Sequence, residues 1–271
     1  MSMRFAKRRG GTLVAAAVAA IAAATLLGAA PASADGSPNG NGNGNGNGNG
    51  TSADHWGVIT RNTIGSPVAE LRNGPFGSFG VTGPAARPPY GTGSLGIEVA
   101  DNSTTLNPPS EKVDFGNEVD FFGDRVRDLR NLGFHVFQTG ENVTYGGPEN
   151  MPNIRFEIDP NLSALPADNY STMVWVPDAA PVTNRWSPFL DATTTGYWYL
   201  TGNETACTQA ARCTFAELKA SLDDGGEEAT VLTAAVGKGR DHMWIGAVDG
   251  LRINNRVYDF EEDGVRERRV G

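Results

Sequence analysis

The ten residues from Pro152 to Asn161, PNIRFEIDPN, alternate apolar and charged side chains. On an extended strand Ile154, Phe156 and Ile158 share one face, and Arg155, Glu157 and Asp159 share the other. Two carboxylates at i and i+2 lie about 6.6 Å apart along a strand. Glycoside hydrolysis uses carboxylate pairs about 5–5.5 Å apart for retention or about 6.5–9.5 Å apart for inversion. Glu157 and Asp159 therefore meet the crude distance requirement. Other carboxylates that could supply a pair are Glu118 with Asp120 in EVDF, and Glu98 with Asp101 in EVAD. Any polar strand face offers such pairs, and Arg155 stands where it can form a local ion pair with Glu157. Other catalytic signatures are missing: there is no G-x-S-x-G elbow, and the G-x-G of VGKGRD lacks the strand-to-helix context of a phosphate loop.

Aromatic residues suggest binding rather than turnover. The chain has five tryptophans, at 56, 175, 186, 198 and 244. Trp175 lies in the apolar run MVWVP and is expected in the core. In GYWYLTG, Tyr197 and Tyr199 share one face and Trp198 takes the other. In GRDHMWIG, Asp241, His242 and Trp244 are close in sequence. Rings that carry a polar edge beside acidic groups suit sugar recognition. The candidate ligand-binding set is Glu157, Asp159, Tyr197, Tyr199, Asp241 and Trp244, with no catalytic residue assigned. Oxygen-rich turns at Asp159 and Asn161, at Asp178 and in DDGGEE offer ligands for a structural calcium, without EF-hand spacing. No other cofactor and no transition metal is expected. Zinc is disfavoured by one Cys pair and by His55, His135 and His242 standing far apart.

The ends of the chain point to export. Arg4, Lys7, Arg8 and Arg9 precede an apolar, Ala-rich run from Thr12 to Ala30, and Ala32-Ser33-Ala34 fits a cleavage site. Residues 1–34 read as a secretory signal peptide of the general route rather than a retained span. They hold four of the 22 basic side chains and none of the 31 acidic ones, so cleavage leaves 18 against 31, a net charge of −13. That balance argues against nucleic acid, whose phosphates need clustered Lys and Arg. Residues 35–53, with an alternating Asn-Gly tract, read as a disordered tether. Residues 54–262 are left for one folded domain, and 263–271 read as a charged tail without an apolar anchor. No LPxTG-like signal precedes it, so release to the extracellular medium is expected, with no membrane contact after cleavage. Cys207 and Cys213 suit an oxidising compartment and are expected to form a disulfide. The N-x-S/T sequons are set aside because the leader looks bacterial.

Eleven strand signals separated by Gly, Pro, Asn and Asp fill the folded part, from HWGVITR to RVYDFE. LRINNRVYDF reads as a hairpin turning at Asn254-Asn255. Two short helices are expected, at DRVRDLRNL and at CTFAELKASLDDGG. In the second, Thr214 and Glu217 form a capping box, and Phe215, Leu218 and Leu222 share a face. No internal repeat suggests a propeller or solenoid. The expected fold class is all-β: a two-sheet antiparallel jelly-roll sandwich with one or two short helices.

The segments GSLGIEVA, LGFHVFQTGENV…NMPNIRFEIDPN, STMVWVPD…NRWSPFLDATTTGYWYLTG, CTQAARCTFAELKASLDDG and GAVDGLRINNRVYDFE resemble, in layout, concanavalin A-like and laminin-G-like jelly rolls of secreted bacterial proteins. The likeness covers most of residues 90–262 and implies a lectin-like or polysaccharide-acting module. Laminarinase-like hydrolases of this fold carry E-x-D-x-E or E-x-D-x-x-E on one strand. Here Glu157 and Asp159 match the first two places, but the third falls on Asn161 or Leu162, and Pro160 ends the strand. The expectation is a secreted, non-catalytic module whose partner is a glycan. The alternatives are a glycoside hydrolase with an unfamiliar carboxylate pair, or a structural and adhesive protein without a small ligand.

Overall fold

A computed structural model describes residues 55–101, 110–147, 149–167, 169–179 and 182–270. Residues 1–34 and 35–53, read from the sequence as a signal peptide and a tether, lie outside the described residues. Fourteen strands and two α-helices are described. In chain order the strands begin with β1 (Trp56–Val58), β2 (Val68–Asn73), β3 (Gly93–Val99), β4 (Lys112–Asn117) and β5 (Gly133–Gln138). Helix α1 (Gly140–Gly146) precedes β6 (Asn153–Asp159), β7 (Ser171–Val176), β8 (Arg185–Trp186), β9 (Leu190–Asp191) and β10 (Tyr197–Leu200). Helix α2 (Phe215–Ser221) leads to β11 (Thr230–Gly239), β12 (Trp244–Ile253), β13 (Arg256–Glu261) and β14 (Gly264–Arg269).

Six strands form one antiparallel sheet in the order β1-β4-β11-β6-β7-β10. The other eight form the second sheet. Its path is β14-β13-β12-β3-β2, with β5 on the other side of β12 and β8 and β9 paired to β5. The chain changes sheet at each step from β3 to β6, the wrapping that closes a jelly-roll sandwich. This is the all-β, two-sheet architecture expected.

Period-2 patterning explains the core. Ile154, Phe156 and Ile158 of β6 are buried between the sheets with Met173 and Trp175 of β7 and Trp198 of β10. The second sheet contributes Leu95, Ile97, Phe134, Val136, Trp244, Val248 and Leu251. The β12–β13 hairpin turns at Asn254, which takes φ +59°. Its side-chain oxygen accepts the Arg130 N–H at 2.8 Å, fixing that left-handed turn to the neighbouring loop.

Helix α2 has the predicted capping box: Thr214 Oγ1 accepts from the Glu217 N–H, and the Glu217 carboxylate accepts from the Thr214 N–H. The Cys207–Cys213 disulfide is formed. DRVRDLRNL, however, is not an α-helix. Only Val126–Asp128 make a 3-10 turn, because the backbone of residues 123–126 bonds to β11 residues and to Ala229 instead. The charged segment 263–271 is not a free tail either: Gly264–Arg269 form β14, anchored by the buried Val265. All of the described residues fall within one compact unit, Gly48–Gly271.

Candidate functional site

The outer face of the six-stranded sheet is polar and built in rows by the strand register. Ala235, Arg155, Val174 and Tyr199 form one row across β11, β6, β7 and β10. Thr233, Glu157 and Thr172 form the next. A cavity of about 400 Å³ opens over the first row. Arg155, Val174 and Tyr199 line its floor, Glu149 and Asn150 stand on one side, and the turn from Gly239 to His242 on another. The disulfide loop contributes Gln209 and Arg212.

Beneath the groove lies a buried ion cluster. The guanidinium of Arg155 pairs with Asp114 of β4 and reaches Asn153 Oδ1 at 3.3 Å. The Lys112 ammonium is 3.3 Å from the other oxygen of Asp114. One carboxylate thus faces two cations. Arg155 Nε has no hydrogen-bond partner among the described residues. At the rim, Asp241 pairs with Lys238, whose side chain is fully buried. Desolvation alone would raise the Asp241 carboxyl, but the charge and hydrogen bond of Lys238 outweigh it and hold the group below the usual carboxylate range. Arg212 pairs with Glu149 at 3.0 Å. The Tyr199 hydroxyl has no hydrogen-bond partner among the described residues. Burial raises its pKa, against the pull of Arg155 and Arg212, so the phenol stays protonated and can both donate and accept.

Glu157 sits one row away and is only 4% exposed. Its carboxylate accepts from Asn62 Nδ2 at 2.8 Å, from the Tyr170 and Thr233 hydroxyls at 3.1 Å each, and from Arg61. Desolvation pushes its pKa up, but the bonds from Asn62, Arg61 and Tyr170 bring it below the ordinary value. Glu157 is therefore an ionised anchor that ties the 3-10 turn Thr60–Asn62 to the sheet. The expected pairing of Arg155 with Glu157 does not form: Arg155 turns to Asp114 and Arg61 takes Glu157.

No family model, curated protein or solved structure matches this chain. The site's meaning rests on its own chemistry.

Of the residues singled out in the sequence, Tyr199 and Asp241 meet in the groove. Tyr197 shares the sheet face and is 44% exposed, but does not line the cavity. Asp159 stands at the end of β6, where Oδ1 accepts the Asn161 N–H at 3.1 Å. Trp244 is not at the site. It is fully buried, and its Nε1–H donates to Gln138 Oε1 at 3.1 Å, because β12 begins there and turns the ring inward. Trp175 and Trp198 are likewise core residues, their ring N–H groups bonded to the Thr195 and Ala192 carbonyls. In the turns considered for calcium, Asp224 accepts from the Gly226 N–H and from the N–H and hydroxyl of Ser163, 61 residues away. Among the described residues no three His, Cys, Asp or Glu side chains converge to hold a metal ion. Sequence reasoning missed Lys112, Asp114 and Arg212. The first two could have been found from the alternation in KVDFGN, which puts both on the outer face of β4.

Proposed function

We propose that this protein is an exported, non-catalytic module that binds a saccharide in the groove over β6, β7 and β10. The observation that carries the reading is Tyr199. Its half-buried ring sits on the floor of a polar cavity that Thr172, Thr201, Gln209 and Asp241 also line, and its hydroxyl has no hydrogen-bond partner among the described residues. A phenol ring ringed by amide, hydroxyl and carboxylate groups offers the stacking face and the hydrogen-bond partners a sugar uses. The leader-like residues 1–34 support export.

Binding is favoured over hydrolysis by the state of Glu157. A glycosidase needs one carboxyl group that keeps its proton and a second that faces the sugar. Glu157 is held ionised with its oxygens filled by four donors. A glycan-array screen of the purified protein, with Tyr199→Ala beside it, tests the reading. Binding to a defined glycan that falls about ten-fold or more in the variant is expected. Silence of the unmodified protein across plant, fungal and bacterial glycans overturns it.

A further inference from the structure

We infer that the saccharide bound in this groove is acidic: a sugar carrying an oxyanion, carboxylate or sulfate. The inference rests on the binding reading above and adds the class of ligand. Its basis is a local charge that runs against the whole chain. The sequence carries 31 acidic and 22 basic side chains. The groove lining reverses that order, with Lys112, Arg155, Arg212 and Arg240 against Glu149 and Asp241.

The pairing pattern decides how much positive charge is left over. Arg212 and Glu149 cancel, and the buried Lys238 cancels Asp241. Asp114 cannot cancel both Lys112 and Arg155, which each contact a different one of its two oxygens. Arg240 has an interaction of its own; without it, one unit of positive charge remains at the floor, where Arg155 is only 7% exposed. A charge kept out of water acts through a lower effective dielectric than one on the surface, so an incoming oxyanion gains more from it. The Lys112 side chain keeps 24% of its surface exposed and can turn its ammonium toward a ligand while Arg155 retains Asp114. Tyr199, protonated and without a hydrogen-bond partner among the described residues, adds a neutral donor to the same lining. A neutral sugar would leave the excess charge uncompensated. A carboxylated or sulfated one would complete it with charge-assisted hydrogen bonds.

The test uses the full chain and three polymers: alginate as polyuronate, dextran sulfate as sulfated glycan, and unmodified dextran as neutral reference. Binding is read by affinity electrophoresis and titration calorimetry, at low and at raised salt. Retention by alginate or dextran sulfate without retention by dextran is expected, and which of the two binds names the oxyanion. Lys112→Gln should weaken that binding by about ten-fold, the loss of one charged hydrogen bond, and Arg212→Gln should weaken it as well, because it leaves the Glu149 carboxylate uncancelled at the groove. Unfolding midpoints of both variants serve as the fold control. If dextran or another neutral glycan binds as tightly as the acidic polymers, the acidic-ligand inference falls while saccharide binding stands. If the acidic polymers bind but neither variant weakens them, this groove is not their site and the inference falls. If nothing binds here or on the array, both readings fall together.

Discussion

Asp114 and Arg155 form an ion pair across a strand that separates them: β11 runs between β4 and β6, and the Asp114 carboxylate lies over Gly237. A Cβ at Gly237 would collide with Asp114 Oδ1 and stand 2.8 Å from the Val113 carbonyl. The groove floor thus depends on a glycine as much as on the charges.

Removing one partner of this buried pair should be costly. Asp114→Ala leaves Arg155 facing Lys112 without a counter-charge, for an expected loss of roughly 3–5 kcal/mol. Gly237→Ala, which crowds the pair, should cost about 1–3 kcal/mol. Asp114→Leu with Arg155→Met should recover most of the first loss. Urea denaturation at neutral pH measures all three, and an Asp114→Ala midpoint equal to that of the parent would contradict the pairing.

Glu157 should contribute a defined acid limb to stability. Its native pKa is lowered, so the contribution is present above the ordinary glutamate value and fades as pH falls through the native one. Glu157→Gln should destabilise the fold by roughly 1–3 kcal/mol at pH 7, since one oxygen acceptor becomes an amide among donors. The difference between parent and variant should shrink towards pH 3. A difference that stays constant from pH 7 to pH 3 would sink this account.

Asp249 should act in the opposite sense near neutrality. It is fully buried in β12 beside His135, and its pKa is pushed up to about 7 by desolvation, against N–H donors from Phe260, Tyr90 and Gly250. Between its ordinary value of 3.8 and about 7 the native protein holds a proton that the unfolded chain has released. Stability from this group therefore falls as pH rises through that window, by at most about 1.4 kcal/mol per unit. His135, whose pKa is lowered by burial, works against it below pH 6.5. Asp249→Asn isolates the carboxyl: parent stability relative to the variant should rise between pH 8 and pH 5. Parallel curves would rule the titration out.

The disulfide loop carries Gln209 and Arg212 to the groove, so its reduction should have two effects. A bond closing so short a loop is worth roughly 2 kcal/mol by chain entropy. Thermal unfolding with and without reductant measures this. Reduction should also weaken the saccharide binding proposed for the groove, because Arg212 is no longer held beside Glu149. Unchanged unfolding and binding after confirmed reduction would refute both.

Much of the sandwich was legible because burial imposes a period of two. Ile154, Phe156 and Ile158 are inside as the alternation required, and α2 is capped by the residues that announced it. β2 and β14 were missed because VAELRN and GVRERR bury little. Edge strands are defined by their partners more than by their own side chains. α1 was missed because GENVTYG has two glycines and its Thr139 N-cap makes no side-chain bond. The site was legible only in part. Tyr199 carried its own signal, but the Lys112, Asp114 and Arg155 cluster is assembled from strands some 40 residues apart. Trp244 misled because closeness to Asp241 in sequence says nothing of which way a starting strand turns its first ring.

β14 closes one margin of the eight-stranded sheet, and past Val265 its side chains are Arg266, Glu267, Arg268 and Arg269. An open row of backbone donors and acceptors invites another chain to add itself, and a run of charges on the outermost strand discourages that. The segment that reads as a solvated end is therefore a guard against self-association. A chain cut after Glu262 would expose the flank of β13, with its buried Val257 and Phe260, and would be expected to aggregate at concentrations the intact protein tolerates.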